Sequence, residues 1–544
     1  MFSLSEQKDK SYLHGAAILA AAVVIVKIIG AIYRIPLLNI LGTEGSAYYN
    51  TAYTIYTLLL TISTAGLPVA LSKMISAANT LGRTNQVRRV FSVGRRAFLL
   101  CGTVFGLAMF LFAKQLSGIG NPETWYSIRA LSPAMFFICL ISAYRGYTQG
   151  HGDMVPTSIS QMLEALCKLV FGLSLAYLAI RQGLGTPIAS AGAIIGVSIG
   201  TAVAFLYMAR YKRKMDASAK RNMHSEDVPQ SGKVIAKQIL RIGVPITLSA
   251  SFLSIVNLLD TRLIYLRLQE ALGMSLDAAT NLHGAYSQVQ TLYNLPAAII
   301  QPITISFIPA ITAYLARKEL TSGKAVAESG LKMTNLLAMA AGTGLSVLSG
   351  PILSVIFART ASDYPETTGL LAIFGAAAYF VCLMLMTNAI LQAYGFERYT
   401  VYTVLIGGIM KLVSSWVLLG IPGIGIYGAA IGTLLCYVAV PLLNLLLIRK
   451  RVQNPPRLFR AFAGPLFCTA VMGAAAWACY HLLSRLIFPV IDSVRLAGIL
   501  TLGGAIAVAV LVYLILIIAM GVLTKEDVKM LPKGEKLAKL LHIR

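Results

Sequence analysis

Six basic residues, Lys27, Arg34, Lys73, Lys168, Arg262 and Lys411, stand inside apolar stretches of the chain, where Glu164 and Asp260 are the comparably placed acids. On insertion scales a cation at the middle of a membrane costs about 2.5–3.5 kcal/mol. Such residues must face water, a partner or a ligand, and an excess of cations favours an anionic ligand. Lys27 and Arg34 are seven residues apart, so they share a helix face roughly 10 Å apart along its axis, with Gly30 between them. They can line a cavity that receives an anionic headgroup, or Arg34 can reach outward while Lys27 pairs locally. Lys27 lies too deep in its apolar run to reach water easily, which favours the cavity.

The remaining charges carry alternatives of their own. Asp260 and Arg262, two apart, point to different helix faces; they form a self-contained polar cluster, or Arg262 faces a cavity while Asp260 serves a neighbouring helix. Glu164 and Lys168 are spaced i, i+4 in the order that favours an ion pair, which suits a structural role. Lys411 has glycine four residues before it, so it needs a distant partner, with Asp260 the candidate. Lys73 snorkels. Lys27, Arg34 and Arg262 are thus the candidate ligand-binding residues, and Asp260, Lys411, Glu164 and Lys168 the candidates for charge coupling or gating. Nothing points to catalysis. The six histidines have no metal spacing, no phosphate-binding G-x4-G-K-[ST] loop occurs, and the seven cysteines lie in or beside apolar blocks. No metal and no cofactor is expected.

Helices across a membrane must position these residues. Of 544 residues, 57% are hydrophobic and 12% charged, against roughly 25% charged in soluble proteins; mean hydropathy is +0.73. Apolar blocks of about 20 residues recur, each long enough to span hydrocarbon. A soluble enzyme and a single-anchor protein are excluded. The pattern predicts an all-α polytopic protein of about fourteen transmembrane helices, among them spans at 13–41, 156–180, 240–265 and 399–420. The first is retained and not cleaved as a signal.

The net charge of +25 follows from topology and gives no reason to invoke nucleic acid. Counted span by span, 33 of the 46 Lys and Arg fall on one side and 7 on the other, which predicts both termini in the cytoplasm.

The hydrophilic stretch 211–238 splits the chain into an N-terminal lobe (1–210, spans 1–6) and a C-terminal lobe (239–450, spans 7–12). Spans 13 and 14 (451–522) and a basic interfacial tail (523–544) follow. Gln149, Gly152 and Lys168-Leu169-Val170 recur 243 residues later as Gln392, Gly395 and Lys411-Leu412-Val413. Six spans separate the copies, so the lobes form a parallel pseudo-repeat. Gly192, Gly196 and Gly200, and again Gly428 and Gly432, have the spacing of close helix packing.

Fourteen spans, the 6+6+2 layout and a cationic first span resemble the multidrug/oligosaccharidyl-lipid/polysaccharide (MOP) flippase superfamily. The run from Val26 to Arg34, with Lys27-Ile28-Ile29-Gly30, is similar to the first helix of its MurJ-type lipid II flippases. Arg145-Gly146-Tyr147-Thr148-Gln149-Gly150-His151-Gly152-Asp153-Met154-Val155-Pro156-Thr157 resembles the Gram-positive branch of YtgP and stage V sporulation protein B. Leu292-Tyr293-Asn294-Leu295-Pro296 fits the pattern of span 8. The resemblance implies a bacterial cell-membrane flippase, acting as a monomer, that moves undecaprenyl-pyrophosphate-linked peptidoglycan precursor outward. It implies that Lys27 and Arg34 meet the diphosphate-sugar head. The basic residue that such proteins often carry in span 8 falls near Thr291 here, and Arg262 on span 7 is placed to take over. Lys411 stands on a span that supplies sodium ligands in some members. Its ammonium can take the cation's place beside Asp260, which weighs against a sodium site.

Overall fold

The computed structural model describes residues 2–220 and 227–522, and every regular element among them is helical. The chain divides into two compact units, Met1–Gln269 with Gly273–Gly284, and Glu270–Leu272 with Ala285–Arg544. The first contains α1 (Phe2–Thr64), α2 (Leu67–Thr80), α3 (Thr84–Leu111), α4 (Ala113–Ser117), α5 (Trp125–Gly150), α6 (Val155–Cys167), α7 (Leu173–Arg181), α8 (Thr186–Lys220) and α9 (Gly232–Glu270). Helix α10 (Leu276–Ala316) begins in the first unit and continues into the second. The second unit goes on with α11 (Leu320–Val347), α12 (Ser349–Ile356), α13 (Ala358–Asp363), α14 (Glu366–Ala393), α15 (Glu397–Leu419), α16 (Tyr427–Arg451), α17 (Leu458–Ile487) and α18 (Val494–Ala519).

Among the described residues ten helices are long and apolar enough to cross a membrane, or up to twelve if each bent pair is one span. One of the ten, Ile25–Thr80, contains a break at Gly42. There φ is 67°, a conformation costly for any residue with a Cβ, and the break divides the expected first and second spans. Helix α10 contains Leu292–Pro296, the segment expected in the eighth. The expected basic tail, 523–544, lies outside the described residues.

Helix α9 falls in the first unit, where the Thr247 hydroxyl accepts from the Gly66 amide at 3.2 Å and the Ser254 and Thr61 hydroxyls are 3.2 Å apart. The chain entering α9 is tied to the start of α3. The Asp227 carboxylate accepts from the Asn85 and Gln86 amides at 2.9 and 2.8 Å, where a helix leaves its first amides unsatisfied.

The glycine-spaced helices pack closely, as their sequence predicts. A Cβ on Gly196 of α8 would fall 2.4 Å from the Gly172 nitrogen, and one on Gly428 of α16 2.5 Å from that of Leu419. The repeated Gln and Gly residues end their helices alike. Gly152 and Gly395 have φ of +80° and +79°, and each donates its amide to the carbonyl of Gln149 or Gln392, at 2.9 and 3.0 Å.

Candidate functional site

A cavity of about 560 Å³ opens among the helices of the first unit, between α1, α2, α5, α6 and α8. Its size falls within the ~300–1,000 Å³ of clefts that hold small ligands. Lys27, Gly30 and Tyr33 reach it from α1 before the Gly42 break, and Tyr53 and Tyr56 from after it. Lys27 is exposed toward it. Gln149, Thr157, Gln161 and Thr201 supply amide and hydroxyl groups.

Two further cations line this space. Arg145, near the end of α5, donates from Nη2 to Glu164 Oε1 at 2.6 Å, and from Nε and Nη2 to Ser160 Oγ at 3.0 and 2.8 Å. Its side chain is 13% exposed and that of Glu164 23%. Lys168 lies where α6 gives way to a π-helical segment, Lys168–Gly172; such bulges in membrane helices commonly mark functional positions. The Lys168 ammonium sits 4.8 Å from the Tyr33 ring centre, 4.8 Å from that of Tyr53 and 5.9 Å from that of Tyr49. Tyr33 is fixed by its hydroxyl, which donates to the Ala193 carbonyl at 3.3 Å. Three cations, Lys27, Arg145 and Lys168, therefore face one acid, Glu164, around the cavity.

This geometry corrects the expected Glu164–Lys168 ion pair. The carboxylate is turned to Arg145 on the neighbouring helix, and Lys168 is drawn to the tyrosines of α1. Sequence reading missed Arg145 because it stands at the edge of an apolar block and counts there as a loop cation. Helix α5 runs on to Gly150, which leaves Arg145 inside. Its only advance signal is its place at the head of the Arg145–Thr157 motif.

Of the expected ligand-binding residues, Lys27 lines the cavity, but Arg34 and Arg262 do not. Arg34 donates from Nη2 to Asn50 Oδ1 across the Gly42 break, while its Nε is buried without a hydrogen-bond partner. Arg262 is exposed and donates to the Gly118 carbonyl at 2.9 Å, so a backbone acceptor beyond α4 holds it away from the cavity. Asp260 on α9 is 4% exposed and Lys411 on α15 6%; they belong to different units.

The rest of the Arg145–Thr157 motif ties α5 to α8. Tyr147 donates to Asp216 at 2.9 Å and Tyr211 to Asp153 at 2.7 Å. The Lys212 ammonium bonds Asp216 and lies 4.5 Å from the Phe91 ring centre and 4.8 Å from that of Tyr147. Beyond the end of α5, His151 Nδ1 donates to the Tyr147 carbonyl at 2.9 Å. Burial pushes the His151 pKa below its ordinary range, opposed by that hydrogen bond and by Asp216.

The second unit holds a buried polar network and an apolar groove. Asn444 of α16 accepts from the Thr403 hydroxyl at 2.8 Å and donates to Asn388 Oδ1 at 2.7 Å and Thr387 Oγ1 at 3.1 Å. The groove, about 390 Å³, lies between α10, α11, α17 and α18, walled by Pro296, Ile299, Leu348, Met472 and Val510.

Residues 12–315 match the family of polysaccharide biosynthesis proteins. The chain belongs to this family. It is 28% identical over 531 residues to the uncharacterized membrane protein YabM of Bacillus subtilis strain 168, covering 97% of this chain and 96% of that protein. It is 26% identical over 521 residues to the lipid II flippase MurJ of the same organism, covering 92% and 94%. The solved structure of lipid II flippase MurJ in an inward closed conformation shares the fold, with a TM-score of 0.65 at 16% identity over 92% of this chain and 98% of that one. This member of the polysaccharide biosynthesis family is therefore a multi-pass membrane protein that shares the MurJ fold.

Proposed function

We propose that the chain is a flippase for a lipid-linked glycan carried on pyrophosphate. The cargo is the undecaprenyl-pyrophosphate-linked peptidoglycan precursor, lipid II, moved from the inner to the outer leaflet of a bacterial cell membrane. The observation that carries this reading is the cavity among membrane-crossing helices, lined by three cations and one acid. The relative named as a lipid II flippase adds support.

No bond is made or broken. Lys27, exposed at the cavity, engages the pyrophosphate, while Arg145 and Lys168 keep the space electropositive. The amides of Gln149 and Gln161 offer donors and acceptors to sugar hydroxyls. Arg34 orients the α1 helix through Asn50, and the apolar groove beside α17 and α18 suits a polyprenyl tail. Cargo shifts the inward–outward balance only by its differential affinity for the two states. An inside-negative potential favours outward movement of an anion, by about 2.3 kcal/mol per charge per 100 mV, so no sodium ion is required. The protein acts as a monomer with both termini cytoplasmic.

The family's description favours a second reading, in which the cargo is another lipid-linked polysaccharide unit. A drug or cation antiporter has less support, because the cavity's acid is already engaged by Arg145. The test is rescue of a bacterium depleted of its essential lipid II flippase, with translocation of lipid II by reconstituted protein alongside. Wild type should support both, and Lys27→Ala should fail in both. Wild-type protein that neither rescues nor moves lipid II overturns the assignment.

A further inference from the structure

Three tyrosine rings around one ammonium form an aromatic cage, the arrangement by which proteins recognise quaternary ammonium ligands. Here the cage is filled from within. The Lys168 ammonium lies 4.8, 4.8 and 5.9 Å from the centres of Tyr33, Tyr53 and Tyr49, inside the ~6 Å over which a ring face attracts a cation. Tyr33, Tyr53 and Lys168 all border the open cavity, so a cage without its lysine would be reachable by a ligand already inside. Tyr49 and Tyr53 are stacked, with centres 5.7 Å apart and planes 11° from parallel, and the Tyr33 hydroxyl is anchored on Ala193. Tyr33 and Tyr53 thus have partners besides the lysine.

We propose that Lys168 is a built-in occupant of a cation-binding cage, and that by filling it the protein denies the site to organic cations. Lys168 then excludes organic cations from the aromatic corner of a cavity that Lys27 and Arg145 also make electropositive. The inference goes beyond the proposed cargo, since it concerns what the cavity refuses and holds whichever lipid-linked glycan is moved. It also gives a role to the π segment at Lys168–Gly172, which starts at the residue that must reach the α1 tyrosines.

The experiment measures tetramethylammonium binding to the full-length protein in lipid nanodiscs by calorimetry, with thermal melting of each variant as the check on folding. Lys168→Ala empties the cage and should bind the ion at least about tenfold more tightly than wild type. Lys168→Met refills the space with a neutral chain and should bind no better than wild type. Lys168→Ala/Tyr53→Ala removes a ring as well and should lose most of the gain. Lys168→Ser provides a second emptied cage if the alanine variant does not fold. The proposal is overturned if the folded emptied variants bind no more tightly than wild type, or if Lys168→Met binds as well as Lys168→Ala. Loss of lipid II translocation by wild-type protein would instead strike the flippase assignment and leave this result untouched.

Discussion

Removing Arg145 should destabilise the protein through the acid it leaves behind. Arg145 and Glu164 meet at 2.6 Å with side chains 13% and 23% exposed. Breaking a fully buried pair on one side costs about 3–5 kcal/mol, mostly from the uncompensated charge. This pair borders a cavity and keeps some exposure, so Arg145→Met should cost about 2–3 kcal/mol. Glu164→Gln retains an oxygen for the guanidinium, and Ser160 still accepts from Nε and Nη2, so about 1–2 kcal/mol is expected. The double variant leaves no buried charge unpaired and should cost no more than about 2 kcal/mol, a coupling near 2 kcal/mol. Equilibrium unfolding of the full-length protein in mixed micelles measures all three. A parallel cycle with Lys168→Met and Glu164→Gln tests the i, i+4 pairing that the sequence suggests, and should give less than about 0.5 kcal/mol. Additive effects at Arg145 and Glu164, or a larger coupling at Lys168, would refute the assignment of partners.

At the cavity, Lys27→Ala should weaken binding of a soluble glycan pyrophosphate by about ten- to a hundredfold, the range of one charged hydrogen bond, whereas Arg262→Ala should change it less than about twofold; equilibrium binding to nanodisc-embedded protein reads both, and a large loss at Arg262 would return that residue to the site. In the second unit, Asn444→Leu strands the partners of three hydrogen bonds and should cost about 2 kcal/mol, at roughly 0.6 per interhelical bond, measured by the same unfolding assay. His151 is held neutral by burial, so the stability it contributes is complete above its ordinary pKa of about 6.5 and is lost as pH falls below it. The melting temperature should therefore drop between about pH 7.5 and 5.5, and His151→Gln should remove part of that drop.

Much of the fold was legible because a membrane leaves the chain few options: every apolar block of sufficient length becomes a helix. The glycine spacing gave the close packing of α8 and α16, and Gln149/Gly152 against Gln392/Gly395 gave matching helix ends. The site was legible only in part. Lys27 could be placed because seven-residue spacing and depth are one-dimensional facts. Arg145 could not, since its role depends on how far α5 continues and on Ser160 and Glu164 meeting it from α6. Nor could the cage: α1 must break at Gly42 before Tyr33 and Tyr53 face the same ammonium. Arg262 misled for the same reason, its carbonyl partner being a backbone group no side-chain pattern reveals.

Among the described residues the charged lining lies in the first unit, and the sequence repeat locates what stands in its place in the second. Shifted by 243 residues, Arg145, Ser160 and Glu164 become Asn388, Thr403 and Gly407. Asn388 and Thr403 meet at Asn444 in a neutral network, where their counterparts form a charged one. The close helix packing differs at the position of the acid. In the first unit a Cβ on Gly200 of α8 would come 2.8 Å from the Glu164 carbonyl oxygen, so α8 lies against the backbone at position 164 and leaves its side chain free to turn to Arg145. In the second unit a Cβ on Gly407 of α15 would come 2.4 Å from Val440 Cγ2 and 3.1 Å from Cys436 Sγ on α16, so the side chains of α16 crowd that position. In the first unit position 164 carries a carboxylate that neutralises an arginine in α5. With glycine on α15, position 407 has no side chain to offer, and an arginine at 388 would lack its acid. Asparagine there, satisfied by another asparagine, is the substitution that avoids an unpaired charge in the membrane. A Gly407→Glu exchange should therefore clash with α16 and be tolerated only with a smaller residue at Val440, a rescue that melting of the single and double variants would detect.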